Sequence, residues 1–172
     1  MKQEKGFTLL ELMVTLAIAA ILFSVGVPGF RSVIMDSRLV RDSNQFVASI
    51  NLARSSAVRF QRSATVCTSA NFNAVLPSCS GSSDWSQGWI VWVDKDRDGA
   101  IDANEILSVQ EPIDSMTTFS ATNVALFSYD ARGFGSSPAD ELMMCDNRSG
   151  ETGRRIRVNA AGRTHVKQQG CS

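Results

Sequence analysis

The feature that most constrains this chain is an uncharged, apolar run of 19 residues, 12–30, close to its beginning. A helix of that length spans the hydrocarbon core of a bilayer, which is about 30 Å thick. Lys2 and Lys5 precede the run, and basic residues favour the cytoplasmic side of a membrane. We therefore expect one membrane-spanning helix, with the rest of the chain on the outer side of the membrane.

A carboxylate lies at the very beginning of this run. Glu11 stands directly before the uncharged residues, and ionised side chains in membrane segments are costly and usually functional. A secretory signal would carry a cleavage motif of small residues after its apolar run, but the sequence VGVPGF lacks a motif of the form A-x-A. The unusual residues instead come first: Gly6, then Phe7, then Glu11 four residues later.

The stretch KGFTLLELMVTLAIAAILFSVGVPGF resembles the class III signal of type IV pilins and type II secretion pseudopilins. The resemblance implies that a prepilin peptidase cleaves after Gly6 and methylates Phe7, the new N-terminal residue. It implies that Glu11 pairs with the N-terminal ammonium of a neighbouring subunit in a filament, and that Pro28 is a helix-kinking proline. The implied partners are the peptidase, other major and minor pilins, and the inner membrane before assembly.

A second apolar pattern follows the membrane run. Apolar side chains recur at three- and four-residue spacing, the period of an amphipathic helix, at Leu39, Phe46, Val47, Ile50, Ala53 and Ala57. The helix is therefore expected to continue over residues 31–61. Beyond it, short segments rich in β-branched and aromatic residues alternate with turn sequences, which predicts strands at 65–68, 88–93, 106–109, 125–129, 141–145, 154–158 and 164–167.

These patterns predict an α+β fold, in which a long N-terminal helix packs on an antiparallel β-sheet head. The expected divisions are a leader at 1–6, a transmembrane or filament-core helix at 7–30, its amphipathic continuation at 31–61 and the head at 62–172. The segments GWIVWVDKDRDG, FSYDARGFGSS and RRIRVNAAGR resemble the GspH domain of minor pilins, in particular the FimT/FimU group.

The two resemblances imply a minor type IV pilin that supports pilus biogenesis in the tip or initiation complex. The implied location is the inner membrane, with a single pass and a periplasmic head, and later the pilus and cell surface of a Gram-negative bacterium. A minor pseudopilin of a type II secretion system shares leader and domain and is an open alternative. The chain has one histidine, no G-x-S-x-G motif and no phosphate loop, so neither an enzyme nor a required cofactor is expected.

Four cysteines, all beyond the apolar run, indicate disulfides formed in an oxidising compartment. They allow three pairings, of which Cys67–Cys79 and Cys145–Cys171 close the shortest loops. Zinc binding is the less favoured alternative, because no C-x-x-C pair occurs and His165 is the single histidine.

The sequence DKDRDGAIDANE, at 94–105, matches the calcium-loop pattern D-x-D-x-D-G-x5-E. The oxygen ligands of a structural calcium ion would come from Asp94, Asp96, Asp98, the carbonyl of Ala100, and Glu105. The flanking sequences read as strands rather than the helices of an EF-hand. A solvated acidic turn without metal is therefore the alternative.

The basic sequence RRIRVNAAGRTHVK, at 154–167, predicts a hairpin with a three-residue loop and Gly162 at its left-handed position. That register separates an apolar face from a basic face comprising Arg155, Arg157, Arg163, His165 and Lys167. Such a face suits a phosphate backbone. Residues 162–165 resemble the G-R-x-R motif of DNA-binding FimT-type pilins, with histidine in place of the second arginine. DNA is thus a candidate partner, and a solvated face or contact with an acidic neighbouring pilin are the alternatives.

Overall fold

The computed structural model of the protein describes residues 6–148, 150 and 152–171, without the side chains of Val25 and Pro28. In this part of the chain a single long helix, α1 (Leu9–Phe60), precedes eight strands. The strands are β1 (Ala64–Thr68), β2 (Trp89–Val93), β3 (Ile106–Gln110), β4 (Thr117–Ala121), β5 (Leu126–Tyr129), β6 (Asp140–Asp146), β7 (Thr152–Val158) and β8 (Thr164–Gly170). A 3₁₀ turn, Trp85–Gln87, precedes β2. The predicted long helix on antiparallel sheets is confirmed.

The chain divides into two compact units, and the boundary falls inside α1 between Arg38 and Leu39. In the first unit, α1 exposes its large apolar side chains, among them Leu10 at 74% and Phe23 at 69%. Among the described residues, α1 is the one helix that is long and apolar enough to cross a membrane. The length and composition of this segment therefore agree with the predicted membrane span.

The second unit contains two four-stranded sheets in which every pairing is antiparallel. Sheet A has the order β3-β2-β1-β5, and sheet B has the order β4-β6-β7-β8. Seven of the strands overlap the predicted segments, whereas β4 was not predicted. Its residues alternate between buried and exposed, with Thr117, Phe119 and Ala121 turned inward. Pairing with β6, which joins Phe119 to Met144, holds β4 in sheet B.

The core of the second unit is built around one aromatic side chain of α1. Phe46 is fully buried, and its ring centroid lies 5.1 Å from those of both Trp85 and Phe119 in edge-to-face geometry. The buried indole of Trp89 donates to the Ser49 hydroxyl at 2.9 Å. The amphipathic half of α1 thus joins both sheets, as its predicted apolar stripe requires.

Candidate functional site

The predicted processing residues lie just before α1. Gly6 and Phe7 are exposed, and 79% of the Phe7 side chain surface is open to solvent. No side chain of the described residues approaches within 4 Å of a Cβ placed on Gly6. The bond between Gly6 and Phe7 therefore lies in an exposed part of the chain, before the first residue of α1.

Glu11 lies in the first turn of α1. The Thr8 hydroxyl accepts a hydrogen bond from the Glu11 amide at 3.2 Å, and the Leu12 amide donates to the Thr8 carbonyl at 3.1 Å. Thr8 is therefore the N-cap, and T-x-x-E has the spacing of a capping box. A carboxylate in the first turn is also favoured by the helix dipole. This local role of Thr8 was not predicted, although the T-x-x-E spacing signals it.

Residues 7–38 contain Glu11 and Pro28, which are predicted to act in assembly, and are called the assembly segment below; exposed apolar side chains surround Glu11 in the sequence. Glu11 itself is exposed. Pro28 lies within α1, which continues across it, and its side chain falls outside the described part. An exposed carboxylate at the end of an apolar helix can pair with a cation supplied by another chain when both leave water.

Both favoured disulfides are present in the structure. Cys67 on β1 is bonded to Cys79, and Cys145 on β6 is bonded to Cys171, which follows β8. The second bond lies directly against Gly153, because a Cβ there would come within 2.6 Å of the Cys171 sulfur. A residue larger than glycine at this position would therefore displace the disulfide.

The acidic loop, residues 94–105, brings three of its predicted ligands together. One carboxylate oxygen of each of Asp94, Asp96 and Asp98 lies within 4.8 Å of the others. Arg97 and Gly99 both have positive φ, at 72° and 76°, which folds the loop back on itself. Three carboxylates at this separation are the oxygen donors that a hard cation such as Ca²⁺ prefers.

Glu105 has a different environment from the three aspartates. Its side chain is buried, and its carboxylate accepts hydrogen bonds from the backbone amides of Lys95 and Asp102. The Lys95 ammonium donates to the Asn104 carbonyl. Glu105 therefore links the two ends of the acidic loop through hydrogen bonds to its backbone. A further backbone amide of the loop, that of Ala100, donates to the Asp98 carboxylate at 2.7 Å. The donor set fits a calcium ion at the aspartates, while bidentate ligation by Glu105 would require it to exchange these amide bonds.

The basic hairpin, β7 and β8 with their connecting turn, has the predicted register. Arg155 pairs with Lys167, and Arg157 pairs with His165. The Gly162 amide donates to the Asn159 carbonyl at 2.8 Å, and Gly162 has φ of 74°, as the predicted bulged loop requires. Of the predicted basic side chains, Arg155 is half-buried, and the others are exposed: Arg157, Arg163, His165 and Lys167.

An acidic residue that the sequence analysis missed lies on the basic face. Glu141 of β6 pairs across the strands with Arg157, and its carboxylate is 3.7 Å from the Arg157 Nε. The Arg155 guanidinium donates to the same carboxylate at 3.3 Å. Glu141 therefore offsets part of the positive charge. No local signal identifies it, because it lies 14 residues before Arg155 in the chain.

The turn of the hairpin rests on Tyr129 of β5. The Tyr129 hydroxyl donates to the Gly162 carbonyl at 2.9 Å, and a Cβ on Gly162 would lie 2.2 Å from the tyrosine ring. Burial raises the pKa of Tyr129 to about 12, although the charge of Arg54 lowers it. Position 162 therefore requires glycine, because its φ is positive and because the Tyr129 ring leaves no room for a Cβ.

Two family models match the chain. The model described as type II transport protein GspH matches residues 42–162. The chain belongs to the GspH family. The prokaryotic N-terminal methylation motif matches residues 1–27, which include Gly6, Phe7, Glu11 and most of the apolar run. No curated protein matches the chain.

Two crystal structures of the type IV minor pilin FimU of Pseudomonas aeruginosa are similar to the chain. The first is 20% identical with a TM-score of 0.60, and the match covers 80% of this chain and 96% of that one. The second is 19% identical with a TM-score of 0.57, and it covers 80% and 97%. At this identity the likeness shows the fold alone, which is that of a pilin.

Proposed function

We propose that this protein is a minor type IV pilin, which a prepilin peptidase cleaves after Gly6 and which then enters the pilus. The observation that carries the proposal is the assembly segment. It combines the methylation-motif match with exposed apolar side chains and an exposed Glu11 at the beginning of α1. In the assembled filament Glu11 pairs with the methylated N-terminal ammonium of a neighbour, which sets the axial position of each subunit. Before it enters the pilus, the protein is anchored in the inner membrane with its head in the periplasm.

Processing is tested by co-expressing the full chain with a prepilin peptidase. Mass spectrometry of the wild type is expected to find an N-terminal methylated Phe7, and the Gly6→Leu variant is expected to remain uncut. Glu11→Gln is the matched variant for assembly: it should still be cleaved but be lost from sheared filaments. Wild-type chain that begins at Met1 in the presence of active peptidase would contradict the proposal.

The pilus and the type II secretion system are distinguished by deleting the protein in its host. Loss of surface pili with normal protein secretion supports the pilin. Loss of secretion with normal pili would instead identify a minor pseudopilin of a type II secretion system. That result would overturn the assignment to the pilus but not the membership of the GspH family.

DNA binding for natural transformation is the second candidate function. It is favoured by the paired register that exposes Arg157, His165 and Lys167 on one face. The full chain in detergent micelles is titrated with duplex DNA at several salt concentrations. Changing Arg155, Arg157 and Arg163 to alanine should abolish salt-dependent binding, whereas Arg97→Ala, on the loop between β2 and β3 of sheet A, should not. Glu141→Gln should strengthen binding, because it removes the one acidic partner identified on this face. Binding that survives the triple change rejects this candidate.

A structural calcium ion in the acidic loop is proposed on the three gathered aspartates. Asp94, Asp96 and Asp98 would hold it, and its role would be to stiffen the loop between β2 and β3. Calcium at 100 times its dissociation constant would add about 2.7 kcal/mol to the free energy of unfolding. Magnesium is the control cation and Asp96→Ala the control variant. An unfolding midpoint that calcium leaves unchanged would reject the site.

A further inference from the structure

The outer edges of the two sheets differ in how they are protected. On the β5 edge, Tyr129 pairs with Gly135 and the Ser136 amide donates to Ser128 at 2.8 Å. On the β4 edge, the Ala121 amide donates to the Ser83 carbonyl at 2.9 Å. The third edge strand, β3, is only five residues long and pairs through a register irregularity. Covering segments, short strands and bulges are the usual ways in which proteins prevent an edge from pairing with another chain.

Within the described residues the fourth edge strand, β8, has no covering segment and no bulge, and what protects it from pairing with a second copy is the charge of Lys167. It is seven residues long, contains no proline and pairs with β7 in unbroken register. Within the described residues, no backbone hydrogen bond reaches its outer edge. The hydrogen bond from the Asn159 amide to the Arg163 carbonyl shows which residues of β8 direct their backbone amides and carbonyls towards β7, and these alternate with residues whose groups point away from it. The amides and carbonyls of Thr164, Val166 and Gln168 therefore point outward and are available to a further strand.

Both faces of β8 are also open. All of its residues after Thr164 are exposed, including Val166 on the apolar face at 36%. Its partner β7 is different, because Ile156 and Val158 on that face are buried. A strand that is exposed on both faces gains little stability from burial.

The strand is nevertheless held at both ends. Cys171 beyond its end is bonded to Cys145 of β6, and the turn before it rests on Tyr129. The disulfide closes a 26-residue separation and so limits the freedom of the strand. β8 is thus an extended, fixed template, and fixing a binding element in advance lowers the entropy lost when a partner binds.

We propose that the outer edge of β8 is the docking site for an extended acidic segment of another protein, which adds to sheet B as a fifth strand. Backbone hydrogen bonds to Thr164, Val166 and Gln168 supply the attachment. Acidic side chains of the segment face His165 and Lys167, while its alternate apolar side chains cover Val166. The proposal goes beyond incorporation into a pilus and does not depend on it.

Charge selects this partner over a second copy of the chain. Antiparallel pairing of two β8 strands would bring Lys167 of both copies onto one face, and like charges on neighbouring strands destabilise a sheet. An acidic strand instead places its carboxylates beside Lys167 of the adjacent β8, whereas Arg155 and Arg157 lie one strand further on, in β7, and contact Glu141. Among the described residues no ion pair involves Lys167, so the charge of its ammonium is available to the partner.

The test uses the full-length protein in detergent micelles and a fluorescent octapeptide that alternates glutamate with valine. Fluorescence anisotropy is expected to show saturable binding that weakens as salt increases. Val166→Pro removes an outward amide while leaving the bonds to β7, because proline is tolerated at solvent-facing positions of edge strands. It should weaken binding by at least about tenfold. Val166→Thr, which keeps the amide, should bind within about threefold of the wild type.

Hydrogen exchange of the wild type provides a readout that does not depend on any variant. The peptide should protect the amides of Val166 and Gln168, whereas that of Lys167, already bonded to β7, should change little. An unfolding midpoint and disulfide content equal to wild type show that Val166→Pro is folded.

The proposal would be overturned if Val166→Pro and the wild type bound the peptide equally, or if a lysine–valine peptide bound as well as the acidic one. It would also be overturned if the amides of Val166 and Gln168 were not protected, or if the protein alone formed a dimer that depends on β8. Binding of duplex DNA without binding of the peptide would assign the face to nucleic acid and likewise reject an acidic strand.

Discussion

Helix α1 contains two apolar stretches with opposite surroundings. Up to Arg38 its large apolar side chains are exposed, as at Leu16 and Phe23, whereas from Leu39 onward Phe46 and Ile50 are buried. The secondary structure is the same, but the patterns differ. Apolar residues occupy all sides of the first stretch and one stripe of the second. An amphipathic stripe is covered by the chain's own sheets, while a helix that is apolar all round needs surroundings supplied from outside the chain.

The difference indicates where each part obtains its stability. The second unit should respond to changes in its own packing, and the first to membrane or neighbouring subunits. All three tryptophans lie between residues 85 and 92, so their fluorescence reports unfolding of the second unit alone.

The largest expected effect contrasts one substitution in each half of α1. Phe46→Ala should lower the free energy of unfolding by about 3–5 kcal/mol, because it leaves a cavity among the rings of Trp85, Trp89 and Phe119. Leu16→Ala, at a side chain 61% exposed, should change it by less than about 0.5 kcal/mol. Urea unfolding of the full chain in micelles measures both. Similar losses for the two variants would contradict the division between the halves.

Removal of one disulfide should have the next largest effect and should be confined to the second unit. Replacing Cys145 and Cys171 by serine is expected to cost about 2–4 kcal/mol, since the open chain gains conformational freedom when it unfolds. Hydrogen exchange should then increase first in β8, which is exposed on both faces. Uniform loss of protection across both sheets would show that the bond supports the whole unit rather than its edge.

A smaller effect is expected from the ionisation of Tyr129. Its absorbance can be followed without a contribution from other tyrosines, because it is the only tyrosine of the sequence. Its tyrosinate absorbance should appear only near pH 12, the value to which burial raises its pKa. A raised pKa stabilises the fold fully below the unfolded value of about 10, and the contribution is lost as pH rises through the folded value. Tyr129→Phe should remove the titration and cost about 1 kcal/mol through the lost bond to Gly162. Titration at the ordinary value would place the ring in solvent.

The smallest expected effect concerns Asp146. Hydrogen bonds from the Arg148 side chain hold the pKa of Asp146 below its ordinary value, against the opposing effect of burial. A lowered pKa contributes stability above the unfolded value of about 3.9, and this is lost as pH falls through the folded value. Asp146→Asn should therefore narrow the difference in unfolding free energy between neutral pH and pH below about 4. If the free energy of unfolding of Asp146→Asn depended on acid pH as that of the wild type does, other carboxylates would determine this dependence.

Regular patterns made the larger part of the fold predictable. The apolar stripe that contains Phe46 and Ile50 predicted the second half of α1, and alternation around Gly162 predicted the register of β7 and β8. Strand β4 was not predicted, because Thr117–Ala121 contains a single large apolar residue, Phe119. Its formation as a strand depends on pairing with β6, and the paired residues are more than 20 positions apart in the chain.

The candidate sites were predictable where chemistry is local. The spacing of Asp94, Asp96 and Asp98 brought them together in the acidic loop. Spacing could not show that Glu105 bonds to backbone amides instead, because that depends on how β2 and β3 close the loop. Nor could it place Glu141 among the arginines, since strand order alone determines that contact.

The packing of α1 into the second unit has a mechanical consequence. Phe46, Ile50, Ala53 and Ala57 are buried together along the same helix. Tension applied along the helix axis would load these contacts simultaneously, in shear, rather than one after another as in peeling. The second half of α1 would therefore resist being pulled out of the two sheets by a force applied along its axis.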